Sequence, residues 1–126
     1  MSAPEPARFA DRWIHAWNAR DIEAVLAQYA DDVVFTSPTA MAVFPESGGT
    51  VRGKDALRKY WTFALQGNPD LHFALVGVYV GVETLVLHYQ NQLGASVNEV
   101  LTFRDGLVAV GHATHLQSRR LEQALR

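Results

Sequence analysis

The sequence predicts an α+β domain in which about three N-terminal helices cover one face of a bent antiparallel sheet. Helical periodicity occurs in the first half of the chain, where apolar residues recur every three or four positions. Runs rich in β-branched and aromatic residues, separated by turn residues, fill the second half. Helices that precede a meander of strands must bury their apolar sides against the sheet, and this arrangement is typical of the α+β class.

Length and composition narrow the possibilities further. The 126 residues, 48% of them hydrophobic, fit one domain, with residues 6–117 expected to form the ordered core and 118–126 a polar tail. A net charge of −2 gives no broad attraction to nucleic acid or anionic lipid, so neither is an expected partner. Because the sequence has no cysteine, disulfides and a cysteine nucleophile are excluded. No leader-like or membrane-spanning apolar run is seen, and we expect a cytoplasmic protein.

The first predicted helix covers residues 6–19. Its aromatic residues Phe9, Trp13 and Trp17 are four positions apart and fall on one side, whereas polar residues take the other side. Asp21 follows this helix, and its carboxylate can accept hydrogen bonds from the free N–H groups of a second, short helix. The sequence thus predicts two consecutive helices with an aromatic stripe on the first.

The second helix is predicted to end at Asp31-Asp32. A short strand, residues 33–36, is expected next, and it should stop before Pro38 because proline cannot donate to a strand ladder. Residues 39–52 show no sustained period and contain Pro45 and two glycines. This segment is predicted to be a long loop or a lid.

A third helix is predicted to open at Gly53 and to close at residues 67–69. Four strands should follow, at residues 72–82, 84–92, 96–104 and 107–116. Asp105-Gly106 lies between the last two of them. Since this dipeptide is typical of a two-residue hairpin turn, these strands are predicted to be antiparallel neighbours.

Five segments that span most of the chain carry a family resemblance: WNARDIE (17–23), YADDV (29–33), FTSP (35–38), GKDAL (53–57) and FRDG (103–106). In this order they resemble the nuclear transport factor 2-like superfamily and, within it, its SnoaL-like branch, which includes polyketide-cyclase-like and ketosteroid-isomerase-like proteins. The resemblance implies a cone-shaped, cystatin-like domain whose curved sheet and helices enclose a mostly apolar pocket, often in a homodimer. It does not select a reaction, because the fold hosts isomerases, cyclases, dehydratases, epoxide hydrolases and binding proteins.

The ketosteroid-isomerase chemistry that the resemblance suggests fits poorly. The family's basic aspartate falls on Ser37, whose hydroxyl cannot take a carbon-bound proton near neutral pH. The oxyanion-binding tyrosine falls on Trp13, which offers only an indole N–H. The second donor, a protonated aspartic acid, falls on Glu99, a carboxyl whose pKa an apolar site could raise in the same way. Isomerisation by that route is therefore disfavoured.

A different polar cluster is predicted from the strand pairing, because residues opposite each other on neighbouring strands share a face. If Asp105-Gly106 is the two-residue turn, Glu99 lies opposite His112. If Gly94 lies in a similarly tight turn, Glu99 also shares its face with His88. The predicted catalytic residues are therefore Glu99, His112 and His88, a carboxylate between two imidazoles that could transfer a proton.

This prediction assumes that no residue bulges from the ladder. A single extra residue at the turn would replace His112 with His115 and would place Gly111 and Ala113 on the pocket side. For all three histidines, a structural place in the sheet or an interface is an equal alternative to catalysis.

The predicted substrate-binding residues are mainly aromatic. They are Trp13, Trp17, Phe35, Tyr60, Trp61, Leu101 and His115. The helical aromatic residues can equally be core residues that only fill space. We predict no metal, because the cross-strand spacing matches no short metal motif, and no nucleotide cofactor, because no glycine pair has phosphate-loop spacing.

Two functions follow from this sequence. The first is a cofactor-free isomerase, cyclase or dehydratase that acts on a small hydrophobic molecule through a carboxylate and a histidine. The second is a non-catalytic ligand-binding or dimerisation module of the same fold. A homodimer is expected in either case, because apolar residues on both faces of the later strands exceed what one helical layer covers. Leu85, Leu87, Tyr89 and Val100 are assigned to the face opposite Glu99.

Overall fold

The computed structural model describes residues 3–117, and the predicted polar tail at 118–126 lies outside the described residues. The helices are α1 (Pro6–Asn18), α2 (Ile22–Leu26), α3 (Pro38–Val43) and α4 (Lys54–Gln66), with a 3-10 turn at Pro45–Ser47. The strands are β1 (Tyr29–Thr36), β2 (Thr50–Arg52), β3 (Ala74–Gly81), β4 (Thr84–Gln90), β5 (Ser96–Arg104) and β6 (Leu107–His115). The predicted α+β class, with helices packed on a curved sheet, is confirmed.

The helices begin where the sequence supplies a side chain that can bind free backbone N–H groups. Glu5 accepts hydrogen bonds from the N–H groups of Ala7 and Arg8, and α1 starts at Pro6, directly after Glu5. Asp21 accepts one from Ala24 N at 3.1 Å and starts α2, as predicted. Helix α2 ends earlier than predicted, at Leu26, because the chain already pairs with β6 as a strand from residue 29.

The six strands form one sheet in the order β2-β1-β6-β5-β4-β3. Four of the five neighbouring pairs are antiparallel, and the pair β1 and β6 is parallel. The sequence did not indicate this parallel pair. The order places β5 in the interior of the sheet, between β4 and β6, so its inward side chains are screened from solvent on both sides.

The hairpin between β5 and β6 has the predicted two-residue turn, since Arg104 pairs with Leu107. Beyond the turn, however, the register shifts by one residue because Ala109 bulges from β6. Glu99 consequently pairs with Ala113, and the predicted pairing of Glu99 with His112 is wrong.

The connection between β4 and β5 is also longer than predicted. It spans residues 91–95, and Asn91 holds it closed by accepting hydrogen bonds from two backbone N–H groups of the loop. This shifts the register by one residue, so that Glu99 pairs with Leu87 and His88 with Asn98. The predicted sharing of a face by Glu99 and His88 is therefore wrong.

The side chains that face the helices alternate along each strand and form the core with the aromatic residues of α1 and α4. On β4 and β5 the buried residues are Leu85, Leu87, Tyr89, Val97, Glu99, Leu101 and Phe103. The assignment of Leu85, Leu87 and Tyr89 to the opposite face was wrong, because a shift of one residue exchanges the two faces of a strand. Val100 does lie on the outer face.

Residues 39–52 are not the predicted irregular loop. They contain most of α3, the 3-10 turn and the edge strand β2. Ser37 starts α3 by accepting a hydrogen bond from Thr39 N, with Pro38 at the first helical position. Within residues 3–117, no helix is both long and apolar enough to span a bilayer.

Candidate active site

A cavity of about 260 Å³ lies between the inner face of the sheet and helices α1, α3 and α4. Its buried wall comprises Trp17, Phe35, Ser37, Tyr60, Trp61, Tyr89, Val97, Glu99 and Ala113. Its open end is formed by more exposed residues, which include Thr39, Asn68, Gln92, Leu93 and His115. The cavity is thus mostly apolar in its depth and mostly polar at its rim.

Glu99 is the one acidic residue of the cavity wall, and only 5% of its surface is exposed. Its Oε1 accepts a hydrogen bond from the Tyr89 hydroxyl at 3.2 Å, whereas its Oε2 has no hydrogen-bond partner within residues 3–117. Burial raises the pKa of Glu99 to about 7, and the hydrogen bond from Tyr89 opposes the rise. Near neutral pH the carboxyl is therefore present in both its acidic and its basic forms.

Three tyrosines surround this carboxyl. Burial raises the pKa of Tyr89, Tyr29 and Tyr60, and the negative charge of Glu99 adds to each rise. For Tyr60 the side chains of Ser37 and Thr39 offset part of the effect. All three phenols are therefore protonated at neutral pH and can act only as hydrogen-bond donors or neutral acceptors.

Two tryptophans of α1 differ in their hydrogen bonding. Trp13 is fully buried in the core, where its Nε1 donates to the Tyr29 hydroxyl at 3.0 Å. Trp17 lies one turn later and lines the cavity, and its buried Nε1 has no acceptor among the residues that the structure describes. The same aromatic stripe therefore supplies one donor that is paired in the core and, in a residue of the cavity wall, one donor that has no partner within residues 3–117.

Aromatic rings hold the apolar wall in place. Trp17 packs edge-on against Trp61 with ring centroids 5.0 Å apart, and Trp61 packs in the same way against Phe35 at 5.6 Å. On the other side, the ring centroid of Phe73 lies 4.4 Å from that of Tyr89 and 5.7 Å from that of Trp17. Such contacts fix ring positions, so the wall is largely preformed.

The segment that joins α4 to β3 forms part of the rim, and α1 and its following turn fasten it. The Asn18 side chain both accepts from Phe73 N at 2.8 Å and donates to Phe73 O at 2.9 Å. Arg20 donates to the carbonyl oxygens of Leu65 and Asn68 at the end of α4. These bonds fix the distance between the first helix and the open end of the cavity.

The structure brings together some of the predicted site residues and separates others. Glu99, Trp17, Phe35, Tyr60, Trp61 and His115 line the cavity. Trp13 and Leu101, predicted to bind substrate, are core residues with no surface on it. His115 lies on the exposed rim.

His88 and His112, predicted to be catalytic, lie on the outer face of the sheet. The Nδ1 of His112 is 2.6 Å from the Thr36 hydroxyl, and His88 borders a shallow groove on the same outer face. The one-residue shifts on both sides of β5 remove both imidazoles from the cavity. Neither histidine is therefore in contact with Glu99.

Tyr89 was not predicted as the partner of Glu99, and Phe73 was not predicted as part of the wall. Tyr89 and Glu99 are brought together by the same shift that separates Glu99 from His88. The alternation of Leu85, Leu87 and Tyr89 along β4 was the available signal, but it gives a face only once the register is known. No set of three or more histidine, aspartate or glutamate side chains in the described part of the chain is grouped closely enough to hold a metal ion.

Comparison with known proteins identifies the class. The SnoaL-like domain family matches residues 10–111, and the chain belongs to this family. A SnoaL-like protein of unknown function from Burkholderia thailandensis is 35% identical, with a TM-score of 0.84 over 90% of this chain and 100% of its own. The predicted membership of the SnoaL-like branch is therefore confirmed. No curated protein matches the sequence.

Two more distant structures share the fold. The protein TerC, crystallised with polyporic acid, is 17% identical with a TM-score of 0.72 over 86% of this chain and 89% of its own. A candidate polyketide cyclase from Sinorhizobium meliloti is 14% identical with a TM-score of 0.71 over 85% of this chain and 94% of its own. At these identities the likeness concerns the fold alone.

Proposed function

We propose that this protein is a cofactor-free enzyme of the isomerase or cyclase type, in which Glu99 transfers a proton on a small apolar molecule bound in the cavity. The single observation that carries the proposal is the buried carboxyl in a mostly apolar wall, one of whose oxygens has no partner among residues 3–117. Keeping an ionisable group in such a place is costly, and perturbed carboxyls of this kind cluster at functional sites.

The ionisation of Glu99 suits this chemistry. A general acid or base works best when its pKa is close to the working pH, and burial brings the pKa of Glu99 to about 7. As a carboxylate, Glu99 would remove a proton from a carbon next to a carbonyl group. The C–H electron pair then passes into an enolate, and the protonated Glu99 returns the proton to the same or another carbon.

The size of the cavity supports a small substrate. A dry cavity of about 150 Å³ can hold benzene, so 260 Å³ accommodates a substituted single ring or two fused rings. Larger molecules would have to extend past the rim. TerC, crystallised with polyporic acid, and a candidate polyketide cyclase have the same fold, so this fold is compatible with small organic ligands in other proteins.

Deuterium uptake tests the proposal without knowledge of the natural substrate. Small cyclic ketones, among them 1-indanone and 2-tetralone, are incubated with the protein in D₂O, and loss of the α-proton signal is followed by NMR. We expect the protein to accelerate the exchange of at least one ketone. Glu99→Gln should abolish that acceleration, because the amide keeps the shape of the side chain but cannot take the proton.

The matched control is Glu46→Gln, which makes the same chemical change at an exposed position. This variant should accelerate the exchange of the ketone as much as the unaltered protein does. Ketones that bind with no acceleration of exchange would identify a non-catalytic binding module instead. If Glu99→Gln still accelerated the exchange, Glu99 would not be the group that transfers the proton.

We also propose that the protein forms a homodimer through the outer face of its sheet. Val86, Val100 and Val110 are only partly covered there, and Tyr79 at the sheet edge is 62% exposed. A second copy of the chain would cover these residues, since the helices occupy the other face. Sedimentation at micromolar concentration tests this: Val100→Lys should convert a dimer to a monomer, and a monomeric unaltered protein would contradict the proposal.

A further inference from the structure

The indole N–H of Trp17 is a second polar group without a partner in the cavity wall. Trp17 is 5% exposed, and its Nε1 has no hydrogen-bond acceptor within the described part of the chain. Buried side-chain donors are nearly always paired, so an unpaired one beside a cavity indicates that something in the cavity completes it. The neighbouring Trp13 shows what a purely structural tryptophan does here, because its Nε1 is paired with Tyr29 inside the core.

The two unpartnered groups belong to one wall. Trp17 contacts Phe73, and Phe73 packs at a tilt against Tyr89, whose hydroxyl donates a hydrogen bond to Glu99. An aromatic bridge of two rings therefore connects the indole and the carboxyl. A flat ring system that lies along this bridge would have the indole at one end and the carboxyl at the other.

We propose that Trp17 Nε1 is the hydrogen-bond donor that selects the ligand, and that the ligand is a one- or two-ring compound with a carbonyl oxygen at this indole. An indole N–H can only donate, so the ligand must present an acceptor at that point. This inference rests on the proposed function for the place of binding, and it adds which atom recognises the oxygen. A hydrocarbon of the same shape would fill the cavity but leave the donor unpaired.

The recognition of the oxygen also bears on the proton transfer. When Glu99 removes the proton from the carbon next to a carbonyl, negative charge moves to the carbonyl oxygen. A preplaced N–H donor at that oxygen stabilises the charge without having to reorient during the reaction. Trp17 would then bind the ketone and also favour the enolate.

The test uses 1-indanone and indane, which differ in the ring carbonyl, and the ¹⁵N-labelled protein. The chain has three tryptophans and therefore three indole N–H signals, which Trp13→Phe, Trp17→Phe and Trp61→Phe assign. We expect 1-indanone to move the Trp17 signal to lower field and indane to leave it nearly unchanged. The ketone should bind roughly 2- to 10-fold more tightly than the hydrocarbon, as one neutral hydrogen bond provides.

Trp17→Phe should reduce the affinity for 1-indanone to that for indane, while Trp61→Phe, which alters the same wall, should keep the preference for the ketone. Equal affinities for the two compounds, or a lower-field shift of the Trp61 signal in place of that of Trp17, would overturn the inference. If one variant does not fold, the other two assign its signal by elimination, and the shifts in the unaltered protein still decide the outcome.

The outcomes separate this inference from the proposed function. A lower-field shift of the Trp17 signal without any α-proton exchange would support the donor and contradict the enzyme. Exchange that depends on Glu99 without a shift at Trp17 would support the enzyme and contradict the donor. If 1-indanone changed no signal of the cavity, the inference would be overturned together with the proposed place of binding.

Discussion

Replacing Glu99 with glutamine should make the protein's stability less dependent on pH, and this can be measured without any ligand. Glu99 is 5% exposed and one of its carboxyl oxygens has no partner in the described part of the chain, so burial disfavours the charged form in the folded state. In the unfolded chain the carboxyl lies in water, so its charged form is not disfavoured there. Glutamine has the same shape but does not titrate, so the comparison isolates the ionisation.

The direction and size of the effect follow from the pKa of Glu99, which rises from 4.5 to about 7 on folding. Because the folded state binds the proton more tightly than the unfolded state, the stabilising contribution is complete below pH 4.5. It is lost as the pH rises through 7. At about 1.4 kcal/mol for each pH unit, the loss amounts to about 3 kcal/mol.

The assay is urea unfolding of the unaltered protein and of Glu99→Gln between pH 4 and 8.5, with Glu46→Gln as the surface control. The difference in the free energy of unfolding between the unaltered protein and Glu99→Gln should change by about 3 kcal/mol, in favour of the glutamine variant as the pH rises. Other titrating groups are common to both proteins and cancel. A difference that stays constant with pH would refute the buried, apolar environment of this carboxyl.

Three further substitutions test the surroundings of the site. Tyr89→Phe removes the hydrogen bond that opposes the rise in the pKa of Glu99, so the stability transition described above should move to higher pH in unfolding experiments. Trp13→Phe leaves the Tyr29 hydroxyl without its buried donor and should lower the free energy of unfolding by about 1–3 kcal/mol in urea unfolding. Gly111→Ala places a Cβ 3.3 Å from side-chain carbons of β1 and β5 and should lower the unfolding free energy by about 1–3 kcal/mol, so an unchanged melting temperature would contradict the tight packing there.

The sequence was sufficient for those features that depend on one segment at a time. The alternation of Val97, Glu99, Leu101 and Phe103 put Glu99 on a largely apolar face of its strand, and all four are buried. The four-residue spacing of aromatic residues likewise predicted α1, which starts at Pro6 and ends one residue before the predicted end. Local periodicity decides these features, whatever the neighbouring elements do.

The neighbours of Glu99 were not predictable in the same way, because they depend on register. Ala109 bulges although it is neither glycine nor flanked by a turn residue, so the sequence carries no sign of the shift. Asn91 did offer a sign, since its side chain closes the five-residue loop by accepting backbone hydrogen bonds. One residue of shift on each side of β5 removed the two predicted histidines and placed Tyr89 and Ala113 near Glu99. Of these two, only Ala113 had been named, in the alternative with one extra residue.

The segment at residues 39–52 illustrates a local signal that was outweighed. Ser37 followed by Pro38 is typical of a helix start, with the hydroxyl as cap and proline at the first helical position. The glycines and the missing period further along led to the prediction of a loop. The helix is only six residues long, which is too short for periodicity to reveal.

The pH profile of proton exchange tests the central claim most directly. α-Deuterated 1-indanone is incubated with the protein in water from pH 5 to 9, and loss of deuterium is measured after subtraction of the uncatalysed rate. Since the carboxylate is the base, the rate should rise with pH to a plateau with its midpoint near 7, the pKa to which burial raises Glu99. A midpoint near the ordinary value of 4.5, or a profile that Glu99→Gln leaves unchanged, would contradict the account.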